Sequence, residues 1–222
     1  EITAGDGFFT DIYDDPPLAR EFMRLVVDSI LDFDRVCAGV NGQPFPNPAG
    51  SGMCDDIASF IPPALFPEFV LPYWEQLYNG LTSGTRSAHV EDLRPAQLPF
   101  LEEIGLSHFD PSISPRLTPK IFCEGCRVPF TWRLGCFHLR QMPAQEVEDF
   151  VFLSATDGAN GVSLTLAETI CDDASVPKVH AFIRAGKEAK QLLEEDAAAR
   201  SCGSGRRRRD GASCGRAGAA TW

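Results

Sequence analysis

From residue 85 onward, the chain alternates between short apolar runs and longer amphipathic ones. The short runs predict strands at residues 85–90, 107–110, 129–134 and 162–166, and the longer runs predict helices at residues 94–104, 118–126, 144–156 and 175–193. Strands that alternate with helices of this kind are typical of βα units around a parallel sheet. With a partial unit near Asp55, the pattern predicts an α/β protein.

The N-terminal part of the chain predicts two long helices separated by a loop. Asp15-Pro16-Pro17 is a helix start, and the apolar residues from Leu18 to Phe33 recur at spacings of three and four, which predicts an amphipathic helix that faces the core. Residues 41–52 are rich in Pro, Gly and Asn and form a loop that leads into Met53-Cys54-Asp55-Asp56. A second helix is predicted at residues 63–81.

The length of the repeating units favours a barrel. Units of roughly 20–35 residues suit a (β/α)8 barrel, which needs around 250 residues. The chain has 222 residues, and not all of them belong to such units. We therefore expect residues 1–196 to form a partial (β/α)8 barrel that lacks N-terminal strands. Because Glu1 is not an initiator methionine, we also expect the chain to be a fragment of something longer.

Charge is distributed unevenly along the chain and narrows the choice of partners. The formal net charge is −11, with 31 acidic residues against 20 basic ones, which argues against a nucleic-acid partner. Residues 197–222 differ from the rest of the chain in composition. They consist mainly of Gly, Ser, Ala and Arg, including the run from Arg206 to Arg209, and offer few apolar side chains for a core. This segment predicts a disordered basic tail, and a non-native terminus is the interpretation we favour for it.

Hydropathy and cysteine content favour a cytoplasmic location. The apolar runs are broken by prolines and acids before they reach the roughly 20 residues needed to span a bilayer. The eight cysteines come without a secretory signal, which indicates reduced thiols. Cys123 and Cys126 have half the spacing of a zinc knuckle, but no second pair follows at the usual distance.

Reactive side chains recur where the predicted strands end, which is where parallel α/β folds place their chemistry. They are His89, Glu91, Asp110, Trp132, Arg133, Glu168 and Cys171. His89 and Glu91 lie on one side of an extended segment, because side chains alternate with a period of two. With Cys171 they form a set of ligands that suits zinc or another divalent metal, and three protein ligands leave a position open for substrate.

Each of these residues also has a structural interpretation. A histidine at a strand end is more often a hydrogen-bonded structural residue than a ligand, and the two interpretations of His89 become equal only when Glu91 and Cys171 are considered with it. Asp55 and Asp56 can cap the helix that follows them. Glu168 is either a ligand in place of Glu91 or a salt-bridge partner. Trp132 and Arg133 either line a ligand pocket or pack in the core.

Residues 53–63, followed by Leu65-Phe66-Pro67-Glu68-Phe69-Val70-Leu71-Pro72-Tyr73-Trp74, resemble a stretch of the uroporphyrinogen decarboxylase superfamily. The His89 segment and the segment from Glu168 to Asp173 fall where that superfamily has later strand ends. The resemblance covers about residues 10–195 and matches the C-terminal half or more of that barrel. It implies a small-molecule substrate and one of two chemistries.

The first chemistry is decarboxylation without a cofactor, as in porphyrin biosynthesis, in which carboxylates such as Asp55 or Asp56 hold pyrrole N–H groups. The second is that of the methylcobamide:coenzyme M methyltransferases, which bind zinc through a His-x-Cys pair and a distant cysteine. His89 and Cys171 match that pattern, while Glu91 stands at the first cysteine position. A third possibility is an inactive, incomplete barrel.

We favour the methyltransferase branch, in which a methyl group passes between a cobamide carrier protein and a thiol. The resemblance then implies that His89, Glu91 and Cys171 are the metal ligands. Asp55, Asp56 and Asp110 are expected to act in catalysis by orienting substrate or ligands. Trp132, Arg133 and Glu168 are expected to contact the substrate.

Overall fold

The computed structural model describes residues 7–168 and 171–203, with side chains to residue 196. The chain divides into two compact units, Glu1–Val128 and Pro129–Trp222. Both units combine helices with parallel strands, so the predicted α/β class is confirmed. In the described residues the strands form one sheet of three strands and one of two, and neither sheet closes into a barrel.

The first unit begins with two helices, α1 (Gly7–Asp14) and α2 (Pro16–Val40). The Asp15 side chain caps α2 by accepting a hydrogen bond from Leu18 N at 3.2 Å, as its position before two prolines predicts. Val27 packs against Tyr73, Leu77 and Leu81 of a later helix. The sequence pattern predicted α2 but not α1.

Much of the apolar stripe of α2 does not face the core, which corrects the expectation from its periodicity. Leu18, Leu25 and Phe33 are 49%, 57% and 68% exposed, whereas Phe22 packs on the buried Phe8 ring. The face that packs carries Ala19 and Val27 instead, both of which are buried. Apolar residues cover two adjacent faces of α2, and spacing alone cannot tell which of the two meets the core.

Three parallel strands form the sheet of the first unit in the order β1 (Gly50–Cys54), β2 (Thr85–His89) and β3 (His108–Asp110). Strands β2 and β3 confirm the predicted ones to within a residue. Strand β1 extends into the predicted loop. The sequence did not predict this strand, because glycine has a low β propensity. Glycine nevertheless fits position 50, because its φ is +153° and a Cβ there would collide with Thr85.

Prolines divide two of the predicted helices in this unit. Residues 63–81 form α3 (Phe66–Phe69) and α4 (Leu71–Leu81), with the break at Val70. Pro72 explains the break, since its ring clashes with the carbonyl four residues earlier and it has no N–H to donate. Pro99 acts similarly, so that a 3-10 turn, Pro95–Gln97, precedes α5 (Pro99–Glu103). The unit closes with α6 (Pro119–Gly125), which is capped by Thr118.

The second unit contains β4 (Thr131–Leu134), α7 (Cys136–Gln141), α8 (Ala144–Thr156), β5 (Gly161–Leu164) and α9 (Val176–Gly203). Strands β4 and β5 pair in parallel. The core between α8 and α9 includes Val151, Ala185 and Ala189. The sequence predicted these elements except α7, and α9 extends beyond its predicted end.

Two further predictions concern the termini and the membrane. The predicted basic tail lies outside the described residues from residue 204 onward. In residues 7–168 and 171–203, no helix is both long enough and apolar enough to cross a bilayer.

Candidate functional site

The site lies at the carboxyl edge of the three-stranded sheet. The register pairs Cys54 of β1 with His89 of β2, and His89 with Asp110 of β3. Side chains at paired positions of parallel strands point to the same face of a sheet. The fold therefore aligns a thiol, an imidazole and a carboxyl group in one row across three strands.

The imidazole of His89 is the centre of this row. Its Nε2 lies 3.8 Å from both Asp56 Oδ1 and Glu91 Oε1, and its Nδ1 lies 3.1 Å from Asp110 Oδ2. The Nδ1 atom is buried, and among the described residues it makes no hydrogen bond, because the short distance to Asp110 is not matched by a favourable angle. A small rotation of the ring would align the two groups.

Hydrogen bonds fix the carboxyl groups around His89. The backbone N–H of Glu91 donates to Asp56 Oδ1 at 2.9 Å, and the Ser112 hydroxyl donates to Glu91 Oε1 at 2.7 Å. The Ser112 N–H donates to Asp110 Oδ1 at 2.8 Å. The three loops that follow β1, β2 and β3 are thus joined through their acidic side chains.

Two residues beside these carboxyl groups have a left-handed backbone. Asp92 has a φ of 62° and Ser112 a φ of 53°, which costs a non-glycine residue about 1–2 kcal/mol. Asp92 is held there by an ion pair with Arg116 and by the Ser114 hydroxyl at 3.2 Å. The two strained residues lie in the loops that direct Glu91 and Asp110 toward His89.

Asp55 has a structural role at the same edge. Its Oδ1 accepts from Ala58 N at 3.2 Å and caps the 3-10 turn Asp56–Phe60, while its Oδ2 accepts from Trp74 Nε1 at 2.8 Å. Burial raises the pKa of Asp55, and these two donors offset only part of that effect. The alternative that Asp55 caps the following helix is therefore confirmed, and its predicted catalytic role stays a prediction.

Cys54 is a member of the site that sequence reasoning missed. Partial burial raises the pKa of its thiol, and so does the negative charge of Asp56, Asp55, Glu91 and Asp110. Its Sγ, a carboxylate oxygen of Asp56 and a ring nitrogen of His89 all lie within 4.8 Å of one another. The pairing of β1 with β2 was the missing information, since the sequence alone does not place Cys54 beside His89.

The structure brings the predicted residues of the first unit together: His89, Glu91, Asp56 and Asp110 share this edge. The other predicted residues belong to the second unit. Trp132 and Arg133 lie within β4 rather than after it, and the buried Trp132 ring contacts Phe130 at 6.2 Å between centroids. Their predicted contact with substrate stays a prediction.

Glu168 and Cys171 follow β5. Glu168 is exposed, and Cys171 is partly buried against the apolar cluster of Leu134, Leu139 and Val147. The roles predicted for both residues, as substrate contact and metal ligand, stay predictions. In the first unit, Cys126 is buried, which raises its pKa to about 11, while Cys123 is exposed on α6.

The fold and the site define an α/β protein with a thiol–imidazole–carboxyl cluster at the carboxyl edge of a parallel sheet. No protein-family model matches the sequence, and neither does any curated protein. Among solved structures, the fold is similar to that of a methyltransferase from Methanosarcina mazei, with a TM-score of 0.64 and 11% sequence identity over 84% of this chain. The match covers 54% of that methyltransferase, so the chain spans about half its length. At this identity the likeness concerns the fold.

Proposed function

We propose that the chain is part of a metal-dependent methyltransferase that moves a methyl group between a cobamide carrier protein and a thiol. The observation that carries the proposal is the His89 cluster at the carboxyl edge of a parallel sheet, in a fold similar to that of a methyltransferase. We also propose that the chain forms a partial (β/α)8 barrel of the uroporphyrinogen decarboxylase superfamily. The alternation of parallel strands and helices supports it.

The donor atoms at this edge fit a divalent metal such as zinc. Imidazole, carboxylate and thiol groups are all zinc ligands, and the buried Nδ1 of His89 faces Asp110 in the way that a ligand histidine commonly faces a carboxylate. In this proposal His89 and Glu91 hold the metal together with a thiolate, as the resemblance implies. A metal ion there supplies Lewis acidity that lowers the pKa of the substrate thiol, so that the thiolate is available at neutral pH.

The side chains of the chain have distinct tasks in the proposed reaction. Asp110 orients the imidazole of His89, and the Ser112 hydroxyl orients Glu91. Asp56 lies 3.8 Å from His89 Nε2 and orients the substrate beside the imidazole, and the proton that the thiol loses passes to solvent. The sulfur–methyl bond then forms as the carrier–methyl bond breaks, and the electron pair of that bond stays with the carrier. No step is assigned to Asp55, since both its oxygens accept hydrogen bonds.

A methyl-transfer assay tests this function. The full chain, supplied with zinc, is incubated with methylcobalamin and small thiols, including 2-mercaptoethanesulfonate, and the methylated thiol is measured by mass spectrometry. We expect thiol methylation above the uncatalysed rate, and a loss of about 100-fold or more in His89→Ala. His180→Ala is the matched control, because His180 is exposed on α9 in the other unit. Equal rates in the two variants, or no transfer by the parent chain, would contradict the proposal.

A further inference from the structure

We infer that the metal-binding thiol of this chain is Cys54, which together with Asp56 and His89 forms a metal site within the first unit. The inference rests on the proposed function, because both place a metal ion beside His89. It differs in the ligand set, since the resemblance implies Cys171 and Glu91. Its evidence is the geometry of β1, β2 and the loops that follow them.

The register of the sheet is the first support. Cys54 and His89 are Cα partners at the carboxyl ends of adjacent parallel strands, so their side chains project from the same face of the sheet. Asp56 follows two residues after Cys54, in the first turn of the 3-10 segment Asp56–Phe60. Rigid strand ends carry two of the three donors, which favours a preformed site.

The donor atoms are close enough for one ion after small rotations. The three atoms lie within 4.8 Å of one another. Ligands of a tetrahedral zinc ion, at about 2.0–2.3 Å from the metal, lie roughly 3.3–3.8 Å apart, so the gap to close is at most about 1–1.5 Å. Cys54 is exposed, so its side chain has room to rotate toward the other two donors.

The surrounding groups match the supporting shell of a metal site. With Nε2 turned toward Asp56, the opposite nitrogen of His89 faces Asp110 at 3.1 Å, which is the carboxylate–histidine arrangement found around metal ions. The Glu91 N–H holds one oxygen of Asp56 and so orients the second as a donor. Glu91 Oε1, 3.8 Å from Nε2, is placed to act as a fourth ligand or to support the site.

Electrostatics also favour a cation at this position. Asp55, Asp56, Glu91 and Asp110 all act on Cys54 as negative charges. A divalent ion offsets such a concentration of like charges and holds a coordinated thiol as thiolate. Cys171 has different surroundings, since Leu134, Leu139 and Val147 pack beside it.

Cobalt(II) spectroscopy separates the two thiols. The full chain is freed of metal with a chelator and titrated with CoCl2 without oxygen, because a thiolate ligand gives a sulfur-to-cobalt charge-transfer band. We expect the band in the parent chain, its loss in Cys54→Ser and its retention in Cys171→Ser. Asp110→Asn should keep the band and weaken cobalt binding by about 10–100-fold, because it removes only the support of His89. Circular dichroism of each variant checks that the fold is retained.

The outcomes distinguish this inference from the proposed function. Retention of the band in Cys54→Ser and its loss in Cys171→Ser, or absence of the band in the parent, would overturn the inference. Cobalt bound through Cys54 in a chain that transfers no methyl group would refute the proposed function alone. Methyl transfer with a band that depends on Cys171 would refute this inference alone.

Discussion

Gln97 allows a direct test of how the fold holds the site, because it is a fully buried polar side chain that anchors the segment carrying Asp56. Its Nε2 donates to the carbonyl of Ile61 at 2.9 Å, and its Oε1 accepts from Arg94 N at 2.7 Å. Replacement by methionine keeps the length and removes these two hydrogen bonds together with the longer one from Gln97 Nε2 to the Ala58 carbonyl at 3.5 Å. We predict that Gln97→Met destabilises the protein, although it makes the core more apolar.

The lost hydrogen bonds outweigh the gain in apolar character, so Gln97→Met lowers the free energy of unfolding. Leaving the buried Ile61 carbonyl without its donor lowers the free energy of unfolding by about 1–3 kcal/mol. Leaving the partly buried Arg94 N–H without its acceptor lowers it further, by about 0.5–1.5 kcal/mol. In the opposite direction, the variant no longer has to bury a polar amide, which raises the free energy of unfolding by about 0.5–2 kcal/mol. At the midpoints of these ranges the net loss is about 2 kcal/mol. If apolar burial alone decided the outcome, the variant would instead be more stable.

Equilibrium urea unfolding, followed by circular dichroism, measures the change. The matched control is Gln145→Met, because Gln145 is exposed and donates to Asp149 on the same helix, so its loss should stay within about 0.5 kcal/mol. We also expect Gln97→Met to bind cobalt more weakly than the parent, since the segment from Asp56 to Ile61 loses its anchor. A midpoint equal to or above that of the parent would refute the reasoning.

Three other predictions concern packing and thiol chemistry. A Cβ on Gly84 would collide with the backbone just before β1, so Gly84→Ala should lower the free energy of unfolding by more than about 1 kcal/mol, whereas Gly186→Ala, with open space on α9, should raise it by about 0.4–1 kcal/mol. Urea unfolding of both variants checks this, and equal effects would contradict it. Because its pKa is raised to about 11, Cys126 should react with iodoacetamide at pH 8 far more slowly than the exposed Cys123. Peptide mass spectrometry gives both rates, and similar rates would refute the assignment. Leu139 is fully buried in the second unit, so Leu139→Ala should cost about 2–5 kcal/mol in thermal or urea unfolding, and a loss below 1 kcal/mol would contradict its place in that core.

The sequence predicted most of the elements because their signals are local. The cap and prolines of α2, the apolar period of α8 and the short strands β2 and β3 all depend on neighbouring residues. The errors arose where other effects decided the structure. Pro72 split a helix that hydrophobic spacing joined, and the packing of α2 chose one of two apolar faces.

The site was predicted only in part for a similar reason. His89, Glu91 and Asp110 could be found because they stand at or just after the ends of predicted strands, and Asp56 because it lies in the partial unit near Asp55. Cys54 could not, because its strand contains two glycines and forms through pairing with β2. Strand pairing is a long-range property that no local pattern carries.

X-ray absorption spectroscopy of bound zinc tests most directly whether this edge of the sheet holds a metal ion through one thiolate. The full chain loaded with one equivalent of zinc should show one sulfur ligand at about 2.3 Å among nitrogen and oxygen ligands at about 2.0–2.2 Å. Cys54→Ser should lose that sulfur while keeping the lighter ligands. Two sulfurs in the parent, none at all, or a sulfur that persists in Cys54→Ser would contradict the account.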